Sequence, residues 1–258
     1  MPDKGARRSK DESLKVLWKQ FNSRFKTEED CAEELFKRHS EAIQCRHCNC
    51  TEIESNYGAR FGRCKKCRRK FWFTSGTFFN RIRLARPWLA AIWLMERGIT
   101  INAGQLHRLV DIAISSAWAL LKKLSMVIKN VMDSQPAVEQ ASENFAPAIC
   151  KRSLETPAKL HPTNEGFEQK QQSKPTNRHS HSDPDLVRAC IKFIRGHFHG
   201  TSRKYLQCFL AMHWCHIDRN SWPPMSLVKA CRRSRHISYK EIRSYISPLQ
   251  VNVTAGLK

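Results

Sequence analysis

The chain has 258 residues and carries 45 lysines and arginines against 23 aspartates and glutamates, a formal net charge of +22. That length holds one large domain or a few small ones; 41% hydrophobic residues allow cores, and 26% charged residues keep them small. A cationic excess of this size selects a polyanion, nucleic acid first. It argues against a membrane partner that no basic amphipathic helix stands out and that the longest apolar run, Trp88 to Met95, falls far short of the roughly 20 residues that span a bilayer.

Residues 1–42 form an N-terminal tail and helices. The first twelve residues are polar and are expected to be disordered. They include Met-Pro-Asp-Lys-Gly-Ala-Arg-Arg, which lacks the apolar core of a signal peptide. The expected compartment is therefore a reducing cytoplasm, at the nucleoid, where cysteines stay as thiols or bind metal. Leu14, Leu17, Trp18 and Phe21 recur at helical spacing between Ser13 and Phe25. Thr27, with Asp30 three residues on, makes a capping box that opens a second helix to about Arg38.

Residues 43–75 carry the most informative motif. Cys45-Arg-His-Cys48 and Cys64-Lys-Lys-Cys67 are separated by 15 residues. Two C-x2-C knuckles at this distance suit one tetrahedral, structural zinc ion, and the intervening loop is long enough for a β-hairpin. The competing readings are two disulfides or four unrelated buried thiols. His47 and Cys50 lie close enough to substitute as ligands, but neither has a partner at knuckle spacing. Arg60, Arg63, Lys65, Lys66, Arg68, Arg69 and Lys70 make the rim of the unit cationic and are the candidate phosphate contacts. Lys70 to Thr74 reads as a strand ending at Gly76. Phe71, Trp72, Phe73, Phe78 and Phe79 are expected to close a small core, with base stacking as the alternative use.

Residues 76–132 read as three helices. Pro87 fits a first turn and Gly98 a C-terminal cap. Asn102 caps a short helix carrying Leu106, Leu109 and Val110. After a turn at Asp111, a third helix from about Ala113 to Val131 turns Ala117, Leu120, Leu121, Leu124 and Ile128 inward, with Lys122, Lys123 and Lys129 on its other faces. This order is a helix-turn-helix pattern; an ordinary three-helix bundle that touches nothing is the alternative. In the DNA-binding case Ile114, Ser115 and Ser116 reach base edges, while Lys122 and Lys123 contact phosphates.

Residues 133–184 are rich in Gln, Ser, Pro, Glu and His, and read as a polar, disordered linker. Glu139, Glu143, Glu155, Glu165, Glu168 and Asp183, with Asp185 just beyond, have no strand-like context. They read as solvated loop charges. Residues 185–258 read as a basic helical module, with Leu186, Val187, Cys190, Ile191 and Ile194 on one helix and Tyr205, Leu206, Phe209, Leu210 and Trp214 on the next. Two short helices follow, one after Pro223-Pro224 and one capped by Ser238 with Glu241. His213 and His216 share a helix face with no third ligand in register, and Cys208 and Cys215 read as packing residues. The expected fold class is α+β, mostly α.

Gly62-Arg-Cys-Lys-Lys-Cys-Arg-Arg-Lys-Phe-Trp-Phe-Thr-Ser-Gly-Thr-Phe-Phe79, then Pro87-Trp88-Leu89 to Ile92-Trp93, Gln105-Leu106 and Ala117-Trp118, resembles bacterial insertion-sequence transposases with an N-terminal zinc ribbon. The likeness runs over about 14–130, and Phe198 to Gln207 with Cys215 to Arg219 resembles the closing segment of the same proteins. The resemblance implies zinc on Cys45, Cys48, Cys64 and Cys67, and double-stranded terminal-repeat DNA against the ribbon and the third helix. It also implies a transposase or a second copy of the chain as partner. Asp111 and Ala113 depart from it, standing where a small residue and a capping hydroxyl are usual. So does the missing nuclease: such enzymes hold two metals about 4 Å apart on three acids of a large sheet, and only the 133–184 segment is left to supply one. The expected function is zinc-dependent DNA binding, of transposase descent and without catalytic residues. An active transposase with a diverged acidic triad and a zinc-stapled protein-interaction module are the alternatives.

Overall fold

The computed structural model describes residues 4–40, 44–45, 47–134, 139–141, 184–198, 202–248 and 251–254. The described residues make a mixed α+β fold that is mostly helical, with a small three-stranded antiparallel sheet. Most of the segment read as a linker, 142–183, lies outside them.

Helix α1 (Lys4–Arg24) starts well before the expected Ser13. Before Ser13 it carries Lys4, Arg7, Arg8, Lys10 and Glu12, straight-chain helix formers that lose little rotamer freedom, and Ala6, which has none to lose. Helix α2 (Glu28–Ser40) follows. The Asp30 amide donates to Thr27 Oγ1 at 3.1 Å, and Asp30 Oδ2 accepts from the Thr27 amide at 2.9 Å, so the capping box is closed both ways.

Strands β1 (Ile53–Asn56), β2 (Phe61–Cys64) and β3 (Lys70–Trp72) form an antiparallel meander. The register sets Ile53 opposite Cys64, Gly62 opposite Phe71 and Phe61 opposite Trp72. Phe73, Phe78 and Phe79 then leave the sheet and enter the core. Trp72 stays 53% exposed, the exception among the aromatics expected to pack.

Helices α3 (Arg86–Glu96), α4 (Ala103–Val110) and α5 (Ile114–Asp133) come next. Pro87 sits in the first turn of α3, and Asn102 and Gln105 make a complete capping box for α4. Asp111 ends α4 in the left-handed region at φ 49°. Ala113 opens α5 without a side-chain cap. The five residues of α5 expected to face inward are all buried.

Strand β4 (Glu139–Ala141) departs from the sequence reading, because it falls inside the expected linker and gives Glu139 a strand context. It pairs antiparallel with β5 (Val251–Val253), Glu139 opposite Val253. Its backbone partners lie more than a hundred residues away, so local composition carries no sign of it. Helix α6 (Pro184–Phe198), a 3-10 turn at Arg203–Tyr205, α7 (Leu206–Ile217), α8 (Ser226–Arg233) and α9 (Tyr239–Ser244) complete the described chain.

One hydrophobic core runs from Phe21 in α1 to Val253 in β5. Helix α7 is buried along almost its whole length and packs most extensively on α5; α8 packs on both α3 and α5. Helix ends need partners for amides and carbonyls that the helix itself leaves unpaired, and three ends here find them far away in sequence. Ala85, at the start of α3, offers no side-chain cap, and Glu28 of α2 accepts from the Ala85 and Arg86 amides instead. At the other end of α3, Arg219 Nη1 donates to the Met95 and Glu96 carbonyls at 3.1 and 3.2 Å. Glu96 in turn caps α8, accepting from the Met225 amide at 2.9 Å and the Leu227 amide at 2.8 Å. Burial holds the Glu96 carboxyl above its ordinary range, opposed by those amides.

Replacing Glu96 with alanine strips two buried amides of a charged acceptor and opens a void. The expected loss is about 3 kcal/mol, read as a lower urea midpoint at unchanged m-value. Glu96→Gln keeps one acceptor oxygen and should recover part of that loss.

Candidate metal centre and its cationic rim

The two knuckles are built alike, displaced by 19 residues. In the first, the Cys45 amide donates to the Cys50 carbonyl at 2.9 Å and the Asn49 amide to the Cys45 carbonyl at 2.7 Å. In the second, the Cys64 amide donates to Arg69 at 3.0 Å and the Arg68 amide to Cys64 at 2.9 Å. Asn49 and Arg68 occupy equivalent places and both take positive φ, 55° and 60°. A left-handed residue right after the second cysteine reverses the chain so that both sulfurs of a knuckle face one point.

The four sulfurs lie within 4.8 Å of one another. Cys45 and Cys67 Sγ are 3.5 Å apart, as are Cys48 and Cys64 Sγ. A disulfide would need about 2.05 Å, and all four cysteines are free thiols. Zinc–sulfur bonds of about 2.3 Å in a tetrahedron put sulfurs about 3.8 Å apart, so the cluster is compatible with a zinc site. Among the described residues no other group of cysteines, histidines and acids gathers this way, and His47 and Cys50 do not join it.

Backbone amides favour the charged form of the leading sulfur in each knuckle; at Cys48 and Cys67 the Cys50 and Arg69 amides pull the same way, but burial and the neighbouring thiols outweigh them and hold both thiols above their ordinary range. The Cys67 amide, 3.5 Å from Cys64 Sγ, and the Lys66 amide behind it help pull the Cys64 thiol down to about 6. The His47 and Cys48 amides lower Cys45 in the same way. Thiolates are the form that binds metal.

The expected phosphate contacts divide into two groups. Arg63, Lys65, Lys66, Arg68, Arg69 and Lys70 are exposed around the second knuckle and the sheet. Lys70 Nζ lies 3.7 Å from the Phe61 ring centre and 4.7 Å from that of Trp72. Arg60 is committed elsewhere: it donates to the Ile82 carbonyl at 2.7 Å and to the Arg83 carbonyl, and pairs with Glu28 at 3.3 Å. Its guanidinium thus fastens the sheet to α2 and to the loop before α3, and is not free for a phosphate.

On α5, Ile114, Ser115 and Ser116 are exposed, Ile114 at 59%. Lys123 is half-buried, with Nζ 6.0 Å from the Trp88 ring. Lys122 overturns its expected role: it is 6% exposed and directed at α7, Nζ 3.6 Å from the Phe209 ring and 4.2 Å from that of Tyr205. A helical wheel alone puts Lys122 on the flank of α5; packing of α7 across that flank covers it.

The acids on helical units each do local work. Asp111 ends α4. Asp218 accepts from Trp214 Nε1 at 3.0 Å and from Ser221 Oγ at 2.7 Å. Glu241 caps α9 through Ser238 and pairs with Arg235. Asp185 pairs with Arg188 at an exposed site. Glu143, Glu155, Glu165, Glu168 and Asp183 lie outside the described residues. His213 is buried against Cys190, Nδ1 to Sγ 3.3 Å, and burial lowers it to about 4. No described helix is long and apolar enough to cross a membrane.

Sequence reasoning passed over the backbone roles of Gly62, which admits no Cβ, and of Asn49 and Arg68, which take positive φ. The sequence does carry a sign of the first of that pair, since asparagine tolerates positive φ better than most residues. Compared with protein families, curated proteins and solved structures, the chain has no match in any of the three.

Gly62 is where the metal unit should be most sensitive. A Cβ there would sit 2.6 Å from Phe71 Cζ and 2.7 Å from Ile53 Cγ2. Gly62→Ala is expected to destabilise the unit by about 2 kcal/mol and to release bound zinc to a chelator sooner than wild type. Gly196→Ala, on α6 with nothing near its Cβ, should instead raise the melting temperature slightly.

Proposed function

We propose that this is a zinc-dependent DNA-binding protein of transposase descent, which recognises insertion-sequence ends and has no nuclease of its own. The observation that carries the reading is six exposed lysines and arginines, Arg63 to Lys70, around a four-cysteine cluster, in a chain of net charge +22. One zinc ion on Cys45, Cys48, Cys64 and Cys67 would supply a cross-link between the two knuckles and no reaction chemistry. The cysteine unit is then a zinc ribbon whose rim neutralises phosphates, and α4, the Asp111 turn and α5 are a helix-turn-helix. The exposed start of α5 supports that part: Ser115 and Ser116 can bond to several base edges, and Ile114 can touch a thymine methyl. The proposed lack of a nuclease is supported by Asp218 and Glu241, each engaged by bonds within its own helical unit, and by Asp111, which stands apart from both at the turn between α4 and α5. Nicking of DNA with Mg²⁺ that is lost in Asp218→Asn would overturn that part.

Reversing Lys65, Lys66, Arg68 and Arg69 together tests the rim. Binding to every duplex should weaken, and the slope of log affinity against log salt should flatten by about 0.9 for each phosphate no longer neutralised. Removing zinc, or Cys64→Ser, should have the same direction of effect, because structural zinc contributes about 10 kcal/mol or more to folding of such small units. Unchanged affinity and slope in the charge-reversed protein would place phosphate binding elsewhere on the surface.

Ser116→Glu tests base reading. Loss of affinity for a sequence selected from random duplexes should exceed the loss for nonspecific DNA. Equal losses would place base reading outside α5.

A further inference from the structure

Cross-strand partners in a sheet point to one side, so the register puts Phe61 and Trp72 in one row of a sheet face, and Arg63 and Lys70 in the next. Asn56 and Glu54 extend the two rows onto β1. The opposite face is closed, since a Cβ on Gly62 would touch both Phe71 and Ile53. On the open face Trp72, Arg63 and Lys70 are exposed and Phe61 is half-buried. Glu54 is the one acid among these strand residues, and it stands on β1, the edge strand furthest from Trp72.

A single exposed apolar side chain is ordinary; here two aromatics share a face with two cations. The Phe61 and Trp72 rings are 5.9 Å apart, edge to face at 74°. Lys70 Nζ rests against both, and no carboxylate pairs with Lys70 or Arg63 among the described residues. Trp72 is also one wall of a groove of about 300 Å³, whose other walls include Ser75, Asn80 and the exposed Arg81. That volume lies at the lower end of small-molecule sites, about 300–1,000 Å³. Ser75 brings a hydroxyl, and Asn80 an amide that both donates and accepts. An aromatic wall, polar groups suited to the edge of a flat heterocycle, and cations on the sheet and in the groove match the chemistry of a nucleotide.

We infer that this sheet face binds single-stranded DNA, with an unpaired base stacked on Trp72 and the flanking phosphates on Arg63, Lys70 and Arg81. Bases in a duplex already stack on one another and offer no free face, so Trp72 gains a partner only where the strand is unpaired. Every base has a π face, so the contact tolerates any sequence. Lys70 is a point charge on a flexible four-carbon stem; when a base takes its place on the ring, its ammonium turns to a phosphate. The inference rests on the reading of the rim as phosphate-binding and adds to it a preference for unpaired strand.

Fluorescence anisotropy on the full-length, zinc-loaded protein tests the inference with three labelled probes. They are an oligothymidylate of about twelve nucleotides, within the span of single-strand sites, an abasic strand with the same number of phosphates, and a duplex of that length. At one salt concentration the oligothymidylate should bind at least about tenfold more tightly than the abasic strand, the worth of one stacked base. Trp72→Ala should bring the oligothymidylate down to the affinity of the abasic strand, and Trp72→Phe, which keeps a ring, should recover most of the difference. Equal affinity of wild type for the two single strands, or undiminished oligothymidylate binding by Trp72→Ala, would overturn the inference. Zinc content checks the fold of the variants; if Trp72→Ala loses its metal, the ratio of the two strands on wild type decides. The duplex separates the two readings: tight duplex binding with no preference for the oligothymidylate over the abasic strand removes the stacking site alone, and binding of none of the three removes the phosphate-binding rim as well.

Discussion

Glu96 is the constraint on which much of the fold depends. Its carboxylate closes the open end of α8 from a position 129 residues earlier in the chain, while Arg219 closes the end of α3 from which it projects. Glu28 does the same at the start of α3. Both ends of α3 are thus satisfied by groups from outside it, Glu28 of α2 and Arg219 of the turn after α7, and α3 itself satisfies α8. Buried helix ends without partners are expensive, so these bonds select one arrangement of α2, α3 and α8 out of the many that apolar packing alone would tolerate. They also tie the helices that precede residues 142–183 to those that follow. Local capping boxes at Thr27, Asn102 and Ser238 define where single helices start; the distant caps define how helices sit against one another.

The cysteine unit obeys a different constraint. Its sheet is three short strands, with Gly62 buried between Phe71 and Ile53, and so small a sheet buries little apolar area. Order there comes from the two matched knuckles and from Arg60, which reaches out to Glu28 and to the loop before α3. One arginine of the basic run therefore serves the fold, leaving its neighbours at the surface. Charge density alone does not separate the two uses; what separates them is which carbonyls and carboxylates each guanidinium can reach.

Lys122 shows the same point within a helix. On α5 it belongs with Lys123 and Lys129 as a cation off the apolar stripe, and a solvated role follows from that position. Packing of α7 across α5 removes it from water and sets it among aromatic rings. Strand β4 is a parallel case, because Glu139-Gln-Ala141 carries no strand pattern of its own and is a strand through its pairing with the Val-Asn-Val of β5. In both, a partner far along the chain overrides the local signal.

By itself the sequence determined the mostly helical α+β class, the starts of α2, α3, α4 and α9, the inward face of α5 and the four cysteines that come together. Each of these rests on short-range chemistry: a cap three residues from its amide, an apolar period of 3.6, two C-x2-C pairs at knuckle spacing. The tertiary structure alone decided the distant caps by Glu28, Glu96 and Arg219, the burial of Lys122, the commitment of Arg60 and the pairing of β4 with β5. These depend on which surfaces meet, and a side chain's surroundings are set by residues far from it in the chain, which a local pattern does not encode.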